Sequence, residues 1–299
     1  MSFIDTGNLN NQDIQRLMNK AGYFKKTFLE KKPITKYLKG KIITTLFFEP
    51  STRTRTSFEI AGKILGAEVI NLQVNHSAVK KGESFLDTIR TLNSMPIDGI
   101  ILRHPKSGSA YFAHQNLDIP VINAGDGSFE HPTQVLGDLF TLKEALGKVK
   151  NLKVTIVGDV LHSRVARSSI KAYLKMGCDI TICGPVEFLP KFNFNYGEVV
   201  TENLSEALKD ADVVMTLRIQ NERLHESEKM NLNRYISDYQ INKENLGQAK
   251  LMHPGPVNQG VEIEIGLIND YRSLIGLQVN NGLFMKMAIL QDYLGDQNE

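Results

Sequence analysis

Short apolar runs alternate with amphipathic helical patterns along most of this chain, and the alternation restricts the possible folds more than any other feature. Runs that are apolar almost throughout are typical of strands that a parallel sheet buries on both faces, and the helices between them form the crossovers. The sequence therefore predicts an α/β fold with two doubly wound parallel-sheet domains joined by helices. The predicted strands cover residues 41–48, 68–74, 98–103, 120–125, 153–159, 179–183 and 212–218.

Helical periodicity fills the intervals between the predicted strands. Residues 132–147 give the clearest helix, because Pro132 suits a first helical position, an apolar stripe follows and a glycine ends it. Strands precede and follow this helix, so we predict one domain over residues 1–132 and a second over residues 133–281, with a C-terminal helix at 282–299 packing back on the first. The other predicted helices are one that ends at Gly66 and those at residues 84–92, 164–176, 205–210 and 282–294.

Composition excludes several classes of function. Lys+Arg 35 against Asp+Glu 33 leaves a formal net charge of +2, too small a field for a general nucleic-acid or membrane-surface binder. The two cysteines, Cys178 and Cys183, have the spacing of neither a disulfide framework nor a zinc site, and no other motif suggests a metal. The N-terminus has no apolar run of signal length, so we expect a cytoplasmic protein without a membrane span.

The helix after the first predicted strand begins with the wrong charge. Ser51 and Thr52 are suitable N-cap residues, but Arg53 and Arg55 fall in the first turn. Because backbone N–H groups already make a helix N-terminus positive, each cation there costs up to about 1 kcal/mol. A capped helix with solvated arginines is one explanation. Two arginines that alternate with three threonines favour a phosphate-like anion, which backbone N–H groups and guanidinium groups bind together.

Further polar clusters follow the predicted strands, where open parallel sheets bind ligands. Each has an ordinary explanation when taken alone, since a histidine is more often a structural hydrogen-bonding residue than a catalyst, and a polar loop is usually only solvated. His76 and His162 have no obvious partner. The cluster at 158–168 has one glycine where a dinucleotide fingerprint needs three, which disfavours a nicotinamide cofactor. The other clusters are KKG at 80–82, LRHP at 102–105, HPTQ at 131–134, LRIQNER at 217–223 and HPGPVNQGVEI at 253–263.

These motifs, in this order, resemble the transcarbamylase family from end to end, and within it the aspartate branch. STRTR at 51–55 together with HPTQ at 131–134 is a highly specific pair. The resemblance implies transfer of the carbamoyl group of carbamoyl phosphate to the amine of L-aspartate, an early step of de novo pyrimidine biosynthesis. It also implies a carbamoyl-phosphate domain followed by an aspartate domain, a homotrimer with shared active sites and no cofactor. Regulatory chains or pathway enzymes as further partners stay open.

The resemblance assigns the donor substrate to motifs of both predicted domains. The residues that would hold its phosphate, partly through backbone N–H groups, are Ser51, Thr52, Arg53 and Thr54. The residues that would meet its carbonyl oxygen, and form the catalytic set together with Arg53, are Thr54, Arg103 and His131. The groups that would bind its NH2 are Gln134 and the backbone carbonyls of Gly255 and Pro256.

Different residues would select the acceptor. Aspartate carries two carboxylates, which suit arginine forks. The positions of this chain that match the aspartate-binding residues of the family are Lys81, Arg164, Arg218 and Gln220. Lys81, together with Ser77, belongs to a loop that in this family reaches into the active site of the neighbouring subunit. Ornithine enzymes usually carry His-Cys-Leu-Pro where this chain has HPGP, and a different amine acceptor such as ornithine is the second hypothesis. HPGP also departs from the HPLP of some aspartate enzymes.

The expected mechanism needs neither a metal nor an organic cofactor. The aspartate amine attacks the carbamoyl carbon, Thr54, Arg103 and His131 stabilise the developing oxyanion, and phosphate leaves. The base is either His131 or the departing phosphate, and two domains suggest closure on binding. A non-catalytic anion-binding subunit with the family fold and a nicotinamide dehydrogenase are the alternatives from other classes.

Overall fold

Two compact units make up this protein. Unit 1 is Met1–Phe140 with Asn280–Glu299, and unit 2 is Thr141–Val279. The chain passes from unit 1 to unit 2 inside the helix Pro132–Leu146 and returns inside the helix Ile275–Leu294. The structure is a computed structural model that describes residues 1–73, 83–190, 197–219 and 231–296.

Unit 1 is built on a four-stranded parallel sheet. Its strands are β1 Ile42–Phe47, β2 Glu68–Gln73, β3 Gly99–His104 and β4 Val121–Asp126. The order across the sheet is β2-β1-β3-β4, and β1 and β4 are buried almost throughout, as expected for strands covered on both faces. The helices of this part of the chain are α1 Asn11–Leu29, α2 Thr52–Leu65, α3 Phe85–Asn93, α4 Ser109–Gln115 and α5 Pro132–Leu146.

Unit 2 repeats this architecture with a five-stranded parallel sheet. Its strands are β5 Lys153–Val157, β6 Asp179–Cys183, β7 Val199–Thr201, β8 Val213–Thr216 and β9 Lys250–Met252. The order across the sheet is β7-β6-β5-β8-β9. The remaining helices are α6 Arg164–Lys175, α7 Leu204–Leu208, α8 Leu232–Tyr239 and α9 Ile275–Leu294. The predicted fold class, α/β with two parallel sheets, is confirmed.

Helix α1 has no counterpart among the predicted elements, although its sequence carries the signals of a helix. Ile14, Leu17 and Ala21 bury one face, and Asn10 and Asp13 form a capping box at its start. Polar residues separate these apolar positions, so the stripe does not stand out as a run. The other elements absent from the prediction are short, namely α4, α8, β7 and β9.

The C-terminal helix starts at Ile275, and the predicted start at Gly282 is wrong. A Cβ atom placed on Gly137 of α5 would lie 3.4 Å from the Cα of Gly282, which shows how closely the backbones of α5 and α9 approach. Gly282 therefore allows close packing of two helices, whereas a glycine inside a helical pattern more often suggests a boundary.

No helix in the described part of the chain has both the length and the hydropathy that crossing a bilayer requires. The same residues contain no group of three or more His, Cys, Asp or Glu side chains placed to hold a metal ion. Cys178 and Cys183 are free and buried. Burial raises the pKa of Cys178 to about 11, so its thiol is a core group that stays protonated at neutral pH.

Candidate active site

Each sheet has one place where a ligand site is favoured, because two neighbouring strands there send their crossovers in opposite directions. In unit 1 these strands are β1 and β3, since β1 leads to β2 on one side and β3 leads to β4 on the other. In unit 2 they are β5 and β8 by the same criterion. Polar residues beyond the carboxyl ends of these four strands are therefore the candidate site residues.

In unit 1, these strand ends carry the start of α2 and Arg103. Phe47, the last residue of β1, lies opposite Arg103 of β3, and Ser51 follows shortly after. Strand β4 pairs with β3 as far as Asp126, after which the chain runs to His131. The predicted donor-binding residues of unit 1 thus leave the sheet along one edge.

The start of α2 has the electrostatics of an anion site. Ser51 occupies the N-cap position, for which its residue type is suitable, but its side chain makes no capping hydrogen bond. The backbone at Ser51, with φ −159° and ψ 89°, differs from the usual cap conformation. The first turn of α2 contains no acidic residue. The start of α2 therefore has neither a side-chain cap from its own N-cap residue nor the first-turn carboxylate that usually stabilises a helix N-terminus.

The two arginines of the first turn differ in their surroundings. Arg55 acts on Glu59, whose pKa is lowered by hydrogen bonds from Lys63 and Asn71 and by the Arg55 charge. Arg55 thus belongs to a charge group on the side of the helix. Arg53 is exposed overall, yet partial desolvation lowers the pKa of its guanidinium, which remains charged at any physiological pH. Arg53, the more exposed of the two, is therefore the candidate for an anion at the helix start.

Arg103 is held by Glu49, a residue that the sequence did not single out. The Arg103 Nε donates to Glu49 Oε2 at 3.2 Å, and each side chain is 14% exposed. Glu49 directly follows Phe48 at the end of β1, so the contact spans the two strands of the switch point. A bond at Nε fixes the plane of the guanidinium and so directs its other N–H groups.

The neighbouring His104 is a structural residue. Its ring packs against those of Phe48 and Phe85, with centroid distances of 4.6 Å and 4.8 Å. The His104 Nδ1 accepts from the Lys106 backbone N–H at 3.0 Å and lies 2.8 Å from Ser109 Oγ. Burial lowers the pKa of His104, which keeps the ring neutral. The ordinary explanation therefore holds for the histidine of LRHP.

His131 and Gln134 lie at the start of α5. His131 is buried and directly precedes Pro132, with its Nδ1 3.4 Å from Thr133 Oγ1. One turn further on, Gln134 Nε2 donates to Asp138 Oδ1 at 2.9 Å. A carboxylate can only accept, so the Gln134 amide nitrogen faces Asp138 and its carbonyl oxygen faces the other way. That orientation suits a ligand with an NH2 group. The sequence analysis missed Asp138, although its i, i+4 spacing from Gln134 is a signal that could have found it.

In unit 2, the corresponding strand ends carry two arginines. Val157 of β5 pairs with Thr216 of β8, and Arg218 lies just beyond β8. Arg164 is the first residue of α6, behind an N-cap in which Ser163 Oγ accepts from the Ala166 N–H at 3.1 Å. Only 6% of Arg164 is exposed. Like α2, helix α6 carries arginine and no acidic residue in its first turn.

The HPGP turn of unit 2 is held by buried acceptors. Gly255 has φ 65°, which favours glycine, and its N–H donates to His253 Nδ1 at 2.7 Å. Glu262 accepts from the Asn258 backbone N–H at 2.9 Å and from the Ile219 N–H at 3.0 Å. Glu262 therefore ties this turn to the segment that contains Arg218. Burial raises the pKa of Glu262, while those hydrogen bonds act in the opposite direction.

Some predicted residues lie outside the described part of the chain, namely Ser77, Lys81 and Gln220, together with His76 and the KKG cluster at 80–82. His162 is described, and the expectation that it has no partner is wrong. Its Nδ1 lies 2.9 Å from Asp159 Oδ1, which also accepts from the His162 backbone N–H at 3.1 Å. An acid three residues before a histidine at a strand end was the signal for this pair.

Comparison with known proteins assigns both units to the same family. Residues 1–144 match the carbamoyl-phosphate-binding domain of the aspartate/ornithine carbamoyltransferases, and residues 150–292 match their aspartate/ornithine-binding domain. The aspartate carbamoyltransferase catalytic subunit of Endomicrobium trichonymphae is 45% identical over 286 residues, which cover 94% of this chain and 92% of the relative.

Solved structures agree. Aspartate transcarbamoylase from Trypanosoma cruzi in complex with carbamoyl phosphate is 30% identical with a TM-score of 0.90, and the match covers 98% of this chain and 96% of that one. The catalytic subunit of M. jannaschii aspartate transcarbamoylase is 34% identical with a TM-score of 0.85, covering 98% and 97%. The chain belongs to the aspartate/ornithine carbamoyltransferase family.

Proposed function

We propose that this chain is an aspartate carbamoyltransferase, which transfers the carbamoyl group of carbamoyl phosphate to L-aspartate and yields N-carbamoyl-L-aspartate and phosphate. One observation carries the proposal: arginine, without any acid, occupies the first turn of the helix that follows the first strand of each sheet. Those two positive strand ends match one phosphate-bearing and one dicarboxylate substrate. The reaction belongs to de novo pyrimidine biosynthesis, and a cytoplasmic location remains our prediction.

Unit 1 binds the donor in this proposal. The N–H groups at the start of α2 and the Arg53 guanidinium hold the phosphate, with Ser51, Thr52 and Thr54 supplying hydroxyl groups. Charge-assisted bonds of this kind are about twice as strong as neutral ones, and the helix dipole adds to them. The Gln134 carbonyl oxygen accepts from the carbamoyl NH2, which the Gln134–Asp138 hydrogen bond at 2.9 Å supports. We propose the backbone carbonyls of Gly255 and Pro256 for the same NH2 group.

Unit 2 binds the acceptor. Arg164 and Arg218 form bidentate contacts with the two carboxylates of aspartate, which a lysine could not reproduce. Gln220 contributes beside Arg218. We further propose a homotrimer in which Ser77 and Lys81 act on the site of the neighbouring subunit, as the family resemblance implies. Regulatory chains remain a separate question.

The chemical step follows from these positions. The aspartate ammonium loses a proton, and the neutral amine attacks the carbamoyl carbon to form the new C–N bond. Thr54, Arg103 and His131 donate to the oxyanion of the tetrahedral adduct. The C–O bond to phosphate then breaks, and phosphate leaves with the electron pair. The second amine proton passes to the departing phosphate or to His131. Ordering the two substrates can supply about 7 kcal/mol or more of the barrier.

A substrate assay tests the function directly. The purified chain with carbamoyl phosphate should form N-carbamoyl-L-aspartate from aspartate, with a kcat/KM for ornithine lower by at least about 10⁴-fold, because a site built for two carboxylates leaves its arginines unpaired with a cationic side chain. Product is measured by chromatography and phosphate by a release assay. Preferential carbamoylation of ornithine would refute the aspartate assignment, and phosphate release without any carbamoylated product would refute carbamoyl transfer.

Glu262→Gln should weaken acceptor binding specifically. Glutamine keeps one acceptor oxygen, so it cannot accept from both Ile219 and Asn258 through separate oxygens, and each buried N–H left unpaired costs about 1–3 kcal/mol. We expect KM for aspartate to rise about tenfold, while KM for carbamoyl phosphate changes by less than about twofold. The matched control is Glu264→Gln, since Glu264 accepts from the Lys243 N–H at 3.0 Å in the same segment. Equal effects of the two substitutions would contradict this role of Glu262.

A further inference from the structure

Lys286 of α9 carries an ammonium group that lies near α2, the helix that begins at the proposed phosphate site. Its Nζ lies 5.4 Å from the centroid of the Phe58 ring of α2 and donates to the Gly282 carbonyl at 3.1 Å. The side chain is half-buried. Neither the family resemblance nor the substrate chemistry assigns it a role.

Two glycines explain how a side chain of α9 comes so near to α5. The close approach of Gly137 and Gly282 brings the backbones of the two helices together. Asp138 follows Gly137 directly, and Lys286 lies one helical turn after Gly282. Accordingly, the Asp138 carboxylate acts on the Lys286 ammonium and favours its charged form.

Asp138 interacts both with Lys286 and with Gln134 of the donor site. Its carboxylate is fully buried and accepts from the Gln134 amide at 2.9 Å. A buried carboxylate is costly unless it is paired or hydrogen-bonded. The Lys286 charge therefore helps Asp138 to remain ionised, and an ionised Asp138 keeps the Gln134 carbonyl oxygen pointed away from it.

The charge of Arg53, a residue of the proposed donor site, also acts on Lys286. Desolvation, followed by the positive charge of Arg53, lowers the pKa of Lys286, while Asp138 raises it, and the net pKa is about 8. Arg53 belongs to α2 and Asp138 to α5, so each of these helices contributes one charge that acts on Lys286. Two cations in proximity repel each other, and an anion bound at the start of α2 would relieve that repulsion. Anion binding and protonation of Lys286 are then linked, and each favours the other.

We propose that Lys286 is a positioning residue of the donor site, which acts through Arg53 and through the Asp138–Gln134 pair without touching the substrate. The ammonium adds positive potential beneath the phosphate and keeps the Gln134 amide in its binding orientation. This inference rests on the proposed donor site of unit 1, whereas the acceptor plays no part in it.

The test compares Lys286→Met with Lys286→Arg in the full chain. Calorimetry with inorganic phosphate as the probe measures affinity, and steady-state kinetics give KM for both substrates. We expect Lys286→Met to raise the phosphate Kd and KM for carbamoyl phosphate by about tenfold, within the usual range of coupling between sites, and to leave KM for aspartate within about twofold. Lys286→Arg should retain phosphate affinity, because it preserves the charge.

The pH dependence gives a readout that a packing role would not affect. Phosphate affinity of the unaltered chain should fall as pH rises through about 8, since Lys286 then loses its charge, and binding there should take up a proton. Lys286→Arg should lack this fall, because arginine stays charged. If the affinity of Lys286→Met equals that of the unaltered chain, or if Lys286→Arg shows the same fall, the proposal is wrong.

Lys25→Met is the matched control. Lys25 is also a buried lysine of unit 1, and its Nζ donates to Asn281 Oδ1 of α9 at 2.8 Å. Its removal disturbs the same helix next to Gly282, yet phosphate affinity should stay within about twofold. If Lys286→Met fails to fold, the proposal is still tested by comparing the pH dependence of phosphate affinity in Lys286→Arg and in the unaltered chain. A chain that binds phosphate as described but does not carbamoylate aspartate would refute the proposed function and leave the role of Lys286 intact.

Discussion

Arg53→Ala is expected to lower kcat/KM for carbamoyl transfer by about a thousandfold, the upper range for removal of one donor from a preorganised site. The substitution removes the exposed guanidinium from a helix start that has no acid and no side-chain cap. The phosphate gains charge as it leaves, so a fixed cation beside it is worth more in the transition state than in the substrate complex. Both kcat and the affinity for carbamoyl phosphate should therefore fall.

Arg55→Ala is the control for Arg53→Ala. It removes a cation of the same charge from the same turn, but from a side chain whose charge acts on Glu59. We expect a change in kcat/KM of less than about fivefold for this variant, because a half-buried charge beside the surface pair of Glu59 and Lys63 contributes little. Kinetics at fixed ionic strength and thermal unfolding of both variants make the comparison. Equal losses would mean that overall positive potential, and not a directed contact from Arg53, binds the phosphate.

The parts of the fold that the sequence predicted are those whose apolar residues are contiguous or strongly periodic. The strands β1 and β5 are buried because both faces are covered, and a run of apolar residues reports that directly. Helix α1 was missed because its apolar positions are spaced among polar ones. The start of α9 was misplaced because Gly282 serves a contact with α5, and local sequence does not report a contact with a distant helix.

The same distinction applies to the candidate site. Ser51 to Thr54 and His131 to Gln134 stand in two short motifs, so family resemblance could identify them from a few letters. The residues that contact or support the candidate site residues were missed, namely Glu49 beside Arg103, Asp138 beside Gln134, Glu262 at the HPGP turn and, in our proposal, Lys286. Most of these act across elements that are far apart in the chain, as in the 3.2 Å contact between Arg103 Nε and Glu49 Oε2. Such roles depend on strand register and helix packing, which become visible only in the folded chain.

Arg164→Ala should have the largest effect on the acceptor. Arg164 is 6% exposed at the first position of α6, where the Ser163 cap fixes the helix start and burial restricts the arginine side chain. Loss of a bidentate contact between this buried arginine and a carboxylate should lower kcat/KM for aspartate by about a thousandfold. Arg164→Lys should recover little of this, because lysine cannot form the fork. The phosphate Kd, measured by calorimetry, should stay within about twofold, since we propose that phosphate binds to unit 1.

Arg167→Ala is the control for Arg164→Ala. It tests whether Arg164 contacts the aspartate carboxylate directly or whether any positive charge at the start of α6 would suffice. Arg167 lies within the first turns of α6, and its Nη2 approaches the Leu161 carbonyl at 3.4 Å. If Arg164 binds a carboxylate of aspartate, Arg167→Ala should cost less than about fivefold in kcat/KM, while Arg164→Ala raises KM for aspartate and lowers kcat together. If both variants lose activity equally, the positive charge at the start of α6 attracts aspartate without a direct contact from Arg164. If Arg164→Ala weakens phosphate binding as much as Arg53→Ala does, the division of the substrates between the two units is wrong.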